Sequence, residues 1–221
     1  RIIEPDGRTL SAGTFIDTIE KYGLGRDLDR TIIAQAMHAA RARLDADKPP
    51  FRIFINLSAQ EIQGRGILGY AEQLCTELGI PPNVIVFEIL ERDAIGDMTH
   101  MRKFLSDLRK KGFLFALDDF GSGYNSFHYL RELTFDYVKI DGAFVKNIVR
   151  SKVDRTLVHN LTRLCQELGI LTIAEFVESE DILQALRGMG VDYAQGFHLG
   201  SADALSQAVR PARYSDRPAS G

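Results

Sequence analysis

An α/β protein built on a parallel sheet is the fold class the sequence predicts, and three observations carry it. Strand-like and helix-like segments alternate along most of the chain. Gly79, Gly112, Gly169 and Gly190 each follow a helical pattern and precede a strand-like one, as helix C-caps do in βα repeats. The pairs Pro49-Pro50 and Pro81-Pro82 mark two further helix-to-strand turns, because proline has no N–H to continue either element. Such a repeat closes as a barrel or stays open as a doubly wound sheet, and the pattern alone leaves both open.

Helical patterns at Ser11–Tyr22 and Asp27–Ala46 come first, followed by a strand at Arg52–Ser58. A helix at Ile67–Leu78 leads into a strand at Val84–Leu90, and a helix at Asp97–Lys110 into a strand at Phe113–Asp118. The run Phe113-Leu-Phe-Ala-Leu117 is uninterruptedly apolar, as in a parallel strand buried on both faces. Strand Tyr137–Asp141, helices Ala143–Val149 and Asp154–Leu168, strand Leu171–Val177, helix Glu180–Met189 and strand Tyr193–Leu199 complete the repeat. Residues 1–202 read as one domain. Residues 203–221, with Pro211 and Pro218 among Arg, Ala and Ser, read as a helix end running into a linker or disordered tail.

Composition sets the outer limits. A chain of 221 residues, 45% apolar and 26% charged, is long enough for one large domain with a full core. A net charge of −3 makes no electrostatic case for a nucleic-acid polymer or an anionic membrane surface. No apolar stretch approaches the roughly 18 residues that a spanning helix needs, and no signal peptide is visible. Cys75 and Cys165 lie in separate helical patterns and read as small core residues, which suits a reducing cytoplasm. The chain starts without Met and inside an ordered pattern, as a fragment of a longer protein would.

The chemistry collects at the strand ends, which in a barrel converge on one face. They carry Asn56, Glu88, Asp118 with Asp119, Lys139 with Asp141, Glu175 and Gln195. Adjacent carboxylates at Asp118 and Asp119 repel unless a cation lies between them. With Asn56 and Glu88 they form an oxygen-rich set suited to Mg²⁺ or Mn²⁺. None of the five histidines falls within that set, which argues against a zinc hydrolase, although His198 lies near this face. Lys139 ends an apolar strand and needs a partner; pairing with Asp141 is the plain structural reading. Surrounding carboxylates keep its ammonium charged, which disfavours a Schiff-base lyase and suits holding a water or a phosphoryl oxygen. Glu175 is then a candidate metal ligand and general base.

These motifs resemble the EAL-domain family of bacterial cyclic-di-GMP phosphodiesterases. The matching segments are Asn56-Leu-Ser58, Phe87-Glu-Ile-Leu-Glu91, Asp118-Asp-Phe-Gly-Ser-Gly-Tyr124, Val138-Lys-Ile-Asp141, Ala174-Glu-Phe-Val-Glu178 and Gln195-Gly-Phe197. They occur in the family's order across nearly the whole chain. The resemblance implies an EAL-like TIM-type (β/α) barrel, here without its first strand. It implies a hydrolase that opens cyclic-di-GMP to linear pGpG with two divalent cations, Mg²⁺ or Mn²⁺, and that Ca²⁺ inhibits. Carried over by motif, Asn56, Glu88 and Asp118 bind the first cation, while Asp118, Asp119 and Glu175 bind the second. Lys139 holds the nucleophilic water, Arg1 and Gln195 meet the substrate, and Glu91 steadies the loop Gly121–Ser126. Asp141 and Glu178 stand behind these residues. The family also implies sensor or GGDEF-like domains in a longer parent protein and a homodimer.

The chain departs from the family pattern in four places. The signature glutamate of the Glu-Ala-Leu motif falls four residues before Arg1. Phe176 stands where glycine is usual, with the pocket floor expected to change shape around its ring. Leu90 stands where threonine is common and Asn125 where serine is common. A catalytically impaired relative acting as a cyclic-di-GMP receptor is the alternative reading.

Overall fold

A computed structural model of the chain describes residues 2–3, 6–46, 50–64, 66–92, 98–121 and 126–200. Arg1, the loop segment Ser122–Asn125 and the tail from Ser201 lie outside the described residues. The repeat opens with a short antiparallel pair, β1 (Ile2–Ile3) and β2 (Thr9–Leu10), which the alternation pattern does not announce. Helices α1 (Ala12–Lys21) and α2 (Gly25–Asp45) follow. Six parallel strands come next: β3 (Ile53–Asn56), β4 (Ile85–Leu90), β5 (Leu114–Phe120), β6 (Tyr137–Ile140), β7 (Leu171–Ala174) and β8 (Tyr193–Ala194). Between them lie α3 (Ala59–Gln63), α4 (Gly66–Leu78), α5 (Met98–Arg109), α6 (Ser126–Glu132), α7 (Gly142–Val145), α8 (Lys152–Leu168) and α9 (Glu180–Met189).

The strands pair in sequence order from β3 to β8, each beside the strand before it. A doubly wound sheet reverses its order at a switch point, and this sheet does not. The architecture is therefore part of a TIM-type barrel, with β3 and β8 as the edges among the described residues.

Strand alternation sorts the side chains onto two faces. Ile55, Phe87, Ile89, Phe115, Leu117, Val138, Ile140 and Ala174 join the helices in the main apolar core. Val86, Ala116, Tyr137 and Ile173, with Phe54 and Leu114, form a second small cluster on the opposite face. Two residues further along the same face come Asn56, Glu88, Asp118, Lys139 and Glu175, so the inner wall changes from apolar to charged toward the strands' C-terminal ends. Two turns are set by glycines in left-handed conformation: Gly169 (φ 72°) caps α8 and Gly190 (φ 78°) caps α9. No helix among the described residues is long and apolar enough to cross a membrane.

Several bounds differ from the sequence reading. β7 stops at Ala174 and β8 at Ala194, so Glu175 and Gln195 sit just past their strands. Phe176 takes φ 53°, which cannot continue a ladder. β5 instead runs on to Phe120 and includes both aspartates. α7 ends at Val145 rather than Val149, and α6 is a helix that the periodicity did not announce.

Phe87 is 1% exposed and lies with its ring 5.3 Å from Phe113 and 6.3 Å from Phe115. Phe87→Ala is expected to cost about 3–5 kcal/mol of stability, the usual scale for emptying such a site. A urea titration checks this, and an unchanged midpoint would deny that the sheet–helix core sits on that face.

Candidate active site

The charged layer of the inner wall is organised around one ammonium group. Lys139 Nζ lies 2.9 Å from Glu88 Oε1, 2.9 Å from Asp118 Oδ1 and 2.9 Å from Glu175 Oε1. All four residues are buried. Lys139 is fixed by β6, Glu88 and Asp118 by β4 and β5, and Glu175 by its own N–H, which donates to Ile140 O at 3.3 Å. Pairing with Asp141, the plain expectation for Lys139, is not what the fold makes. Asp141 turns the other way and caps α7, its Oδ1 accepting from Ala143 N at 2.8 Å.

Asp119 reaches the same site through a backbone irregularity. Simple alternation would send its side chain to the face opposite Asp118. The pairing of β5 with β6 shifts register between Leu117 and Phe120, and Asp119 adopts φ 55°. This bulge re-aims the side chain. Ligand oxygens of Asp118, Asp119 and Glu175 come within 4.8 Å of one another.

Four carboxylates around one lysine leave a surplus of negative charge, and the ionisation behaviour reflects it. Burial raises the Glu88 carboxyl, with Lys139 opposing the shift and Asp118 adding to it. Burial likewise raises Glu175 against the pull of Lys139, while Asp118 and Asp119 push the same way as burial. Asp119 is raised by burial and then by Asp118 and Asp141. For Lys139, burial alone would lower the pKa, but Glu88, Asp118 and Glu175 more than offset it and hold the ammonium charged. The donors are oxygens of buried carboxylates with charge to neutralise, and this set fits hard divalent cations such as Mg²⁺ or Mn²⁺.

Of the remaining residues singled out by the sequence, Asn56, Gln195 and Glu178 lie at the rim. Asn56 is exposed and in register with Glu88. Gln195 is exposed; its N–H donates to Ala174 O at 2.8 Å and its carbonyl accepts from Val177 N at 3.0 Å. Glu178 is exposed, with Lys146 Nζ at 3.9 Å. Glu91 is 1% exposed and accepts from Gly121 N at 3.0 Å, where the glycine-rich loop leaves β5. Arg1 and the loop centre Ser122–Asn125 lie outside the described residues.

Sequence reasoning missed Asp29. This buried carboxylate of α2 accepts from Ser58 N at 3.2 Å and so holds the chain just past Asn56. A signal for it exists. Asp29, Ile33 and Met37 recur at fourfold spacing on the buried face of α2, where an acid needs a partner.

Known proteins match this chain across the site and the fold. The family profile described as EAL domain matches residues 1–202. Cyclic di-GMP phosphodiesterase PdeB of Shewanella oneidensis is 40% identical over 93% of this chain and 24% of its own length. The PaMucR phosphodiesterase, solved as a c-di-GMP complex, superposes with a TM-score of 0.85 at 28% identity, covering 91% of this chain and 81% of that one. Klebsiella pneumoniae BlrP1, solved as a manganese/cy-diGMP complex, gives 0.71 at 28% identity over 77% of this chain and 43% of that one. The chain spans about a quarter of the length of the curated relatives it matches.

Two outcomes follow from the charge balance. Lys139→Met leaves buried carboxylates uncompensated and is expected to cost about 3–5 kcal/mol in chelator. Mn²⁺ is expected to recover more melting temperature in this variant than in the wild type, and equal gains would deny that ammonium and cation neutralise the same acids. The second outcome concerns pH. The carboxyl pKa values of Glu88, Asp119 and Glu175 are raised in the folded state, so protons occupy these groups as pH falls and favour the folded form without metal. A cation must displace those protons. The rise in melting temperature given by Mg²⁺ is expected to shrink from about pH 8 to about pH 5. A scan of both pH values with and without Mg²⁺ checks it; a rise that is constant or grows toward pH 5 would refute it.

Proposed function

The chain belongs to the EAL domain family, and from that membership we propose that it is the phosphodiesterase domain of a longer protein, hydrolysing cyclic-di-GMP to linear pGpG. The observation that supports this reading best is the convergence of Asp118, Asp119 and Glu175 beside a lysine held charged. An impaired domain would be expected to have lost acids of this set.

In this proposal Asn56, Glu88 and Asp118 would hold one divalent cation, and Asp118, Asp119 and Glu175 would hold a second. Mg²⁺ or Mn²⁺ bound there would supply Lewis-acid stabilisation of the phosphoryl oxygens and acidify the attacking water. The chain's own groups divide the remaining work. Lys139, charged throughout, can donate N–H bonds and cannot take a proton, so it orients the water and is no Schiff-base nucleophile. Glu175, a buried carboxylate beside Lys139, is the proton acceptor, and the water's proton passes to one of its carboxylate oxygens. Arg1 and Gln195 contact the nucleotide, Glu91 steadies the glycine-rich loop, and Asp141 and Glu178 support the neighbouring turns. Residues 1–202 constitute the domain. Sensor or GGDEF-like segments of the parent protein, and a second copy in a homodimer, are the partners. The reaction belongs in the cytoplasm.

Chromatographic assay of cyclic-di-GMP cleavage by the full-length protein tests the proposal. Turnover is expected in Mg²⁺ or Mn²⁺, to be lost in EDTA and to be inhibited by Ca²⁺, whose longer bonds and looser geometry fail to align water and phosphate. Equal turnover in EDTA would remove the metal mechanism, and tight binding without turnover would establish the receptor reading instead. Glu175→Gln is expected to lower kcat by at least about 10²-fold, the scale of a lost general base, with nucleotide affinity largely kept. Normal turnover in this variant would refute the role of Glu175.

A further inference from the structure

Phe176 is one of two non-glycine residues with left-handed φ among the described residues; the other is the bulged Asp119. Left-handed backbone is costly for an L side chain and free for glycine. Burial does not explain the ring, which is 46% exposed. Its contacts are specific. The ring lies so close to Gly142 that a Cβ there would fall 2.2 Å from Phe176 Cδ2 and 2.7 Å from Cγ. Lys146 Nζ stands 4.3 Å from the ring centroid, a cation–π contact. Gly142 opens α7 and Lys146 closes it, and α7 follows directly from β6, the strand that carries Lys139. The ring therefore clamps the turn after β7 onto the helix after β6.

Glu175 lies between that clamp and its strand. Its N–H donates to Ile140 O at 3.3 Å, and its Oε1 meets Lys139 Nζ at 2.9 Å. Glu175, just past the end of its strand, keeps that one backbone bond to β6, and the next residue's ring supplies a second fixture. We propose that Phe176 is a positioning residue: its ring, wedged between Gly142 and Lys146, fixes Glu175 against Lys139 for cation binding and proton transfer. This deepens the phosphodiesterase reading and rests on it. Strained backbone persists where the surroundings over-determine it, and here Gly142 and Lys146 hold the residue next to the acid site.

Variants of the full-length protein test the inference. Phe176→Gly removes the ring while keeping a residue that adopts φ 53° without strain, so melting temperature in chelator is expected to hold or rise. Mn²⁺ affinity, measured by calorimetry, is expected to fall about tenfold or more, the scale for losing a group that orients a metal ligand. In turnover, kcat is expected to fall by about tenfold to 10²-fold, the cost of a small misplacement, with KM within about twofold. Gly142→Ala displaces the ring and is expected to reproduce these losses, with little further loss in the double variant; Phe176→Tyr is expected to restore wild-type values. Unchanged Mn²⁺ affinity and kcat in Phe176→Gly would overturn the proposal. So would a loss confined to KM, which would make the ring a stacking surface for a purine base. Should the wild type bind Mn²⁺ but fail to cleave cyclic-di-GMP, the phosphodiesterase reading falls while Mn²⁺ affinity still decides the role of Phe176. Absence of both would sink the two together.

Discussion

The contact of one ammonium with three carboxylates sets the terms for the rest of this structure. Glu88 comes from β4 and Glu175 from the end of β7, three strands apart. In a flat sheet that separation is roughly 14 Å, three interstrand spacings. Both carboxylates nevertheless reach Lys139 Nζ at 2.9 Å. A sheet curved toward barrel closure brings side chains from such distant strands together on one nitrogen. The curvature is in turn sustained on its outer side, where Phe87, Phe115, Leu117 and Ile140 pack under the helices. Apolar burial outside holds the shape, and the shape makes the charged cluster inside.

That cluster is not balanced as it stands. Lys139 neutralises part of the charge, and the raised carboxyls of Glu88, Asp119 and Glu175 express what remains. A buried ion pair is seldom retained for stability alone, because desolvation offsets much of the attraction. A surplus of buried acid is still harder to justify as scaffolding. Two of the acid-bearing turns also contain left-handed residues, Asp119 within the bulge of β5 and Phe176 after β7. Charge surplus and backbone strain coincide at the strand ends and are absent from the apolar layer beneath, which is where a binding site differs from a core.

Much of this could be read from the sequence because barrel strands report their own ends. An apolar run interrupted by Glu88, Asp118, Lys139 or Glu175 locates the face, whereas the choice between barrel and open sheet rests on the structure's pairing of each strand with its predecessor. Local pattern could not show which partners Lys139 takes. Asp141 is two residues away and would share the face by simple alternation, yet β6 ends at Ile140 and the α7 cap engages Asp141, and the true partners lie on other strands. Nor could it show that Asp119 faces the site, since that depends on a register shift between β5 and β6. Asp29 escaped because its partner is the backbone of Ser58, 29 residues away. β7 is shorter than its composition suggests for a related reason: the apolar residues Phe176 and Val177 continue the composition of a strand while the backbone has already turned.

The layering also constrains how a ligand can approach. Glu88, Asp118, Lys139 and Glu175 are buried, whereas Asn56 and Gln195 at the rim are exposed. A phosphodiester brought to this face meets polar, uncharged groups first and a pocket of carboxylates behind them. Without cations, the field of those carboxylates repels it, and Lys139 offers little relief because its ammonium is already shared among three acids. Cations bound there would reverse the sign of that field and would compete with Lys139 for the same oxygens, which would free its N–H donors for a new acceptor. On that proposal, the lysine that organises the acids in the absence of metal would be the group released when metal takes them. One side chain can in this way serve the fold in one state and the chemistry in the other.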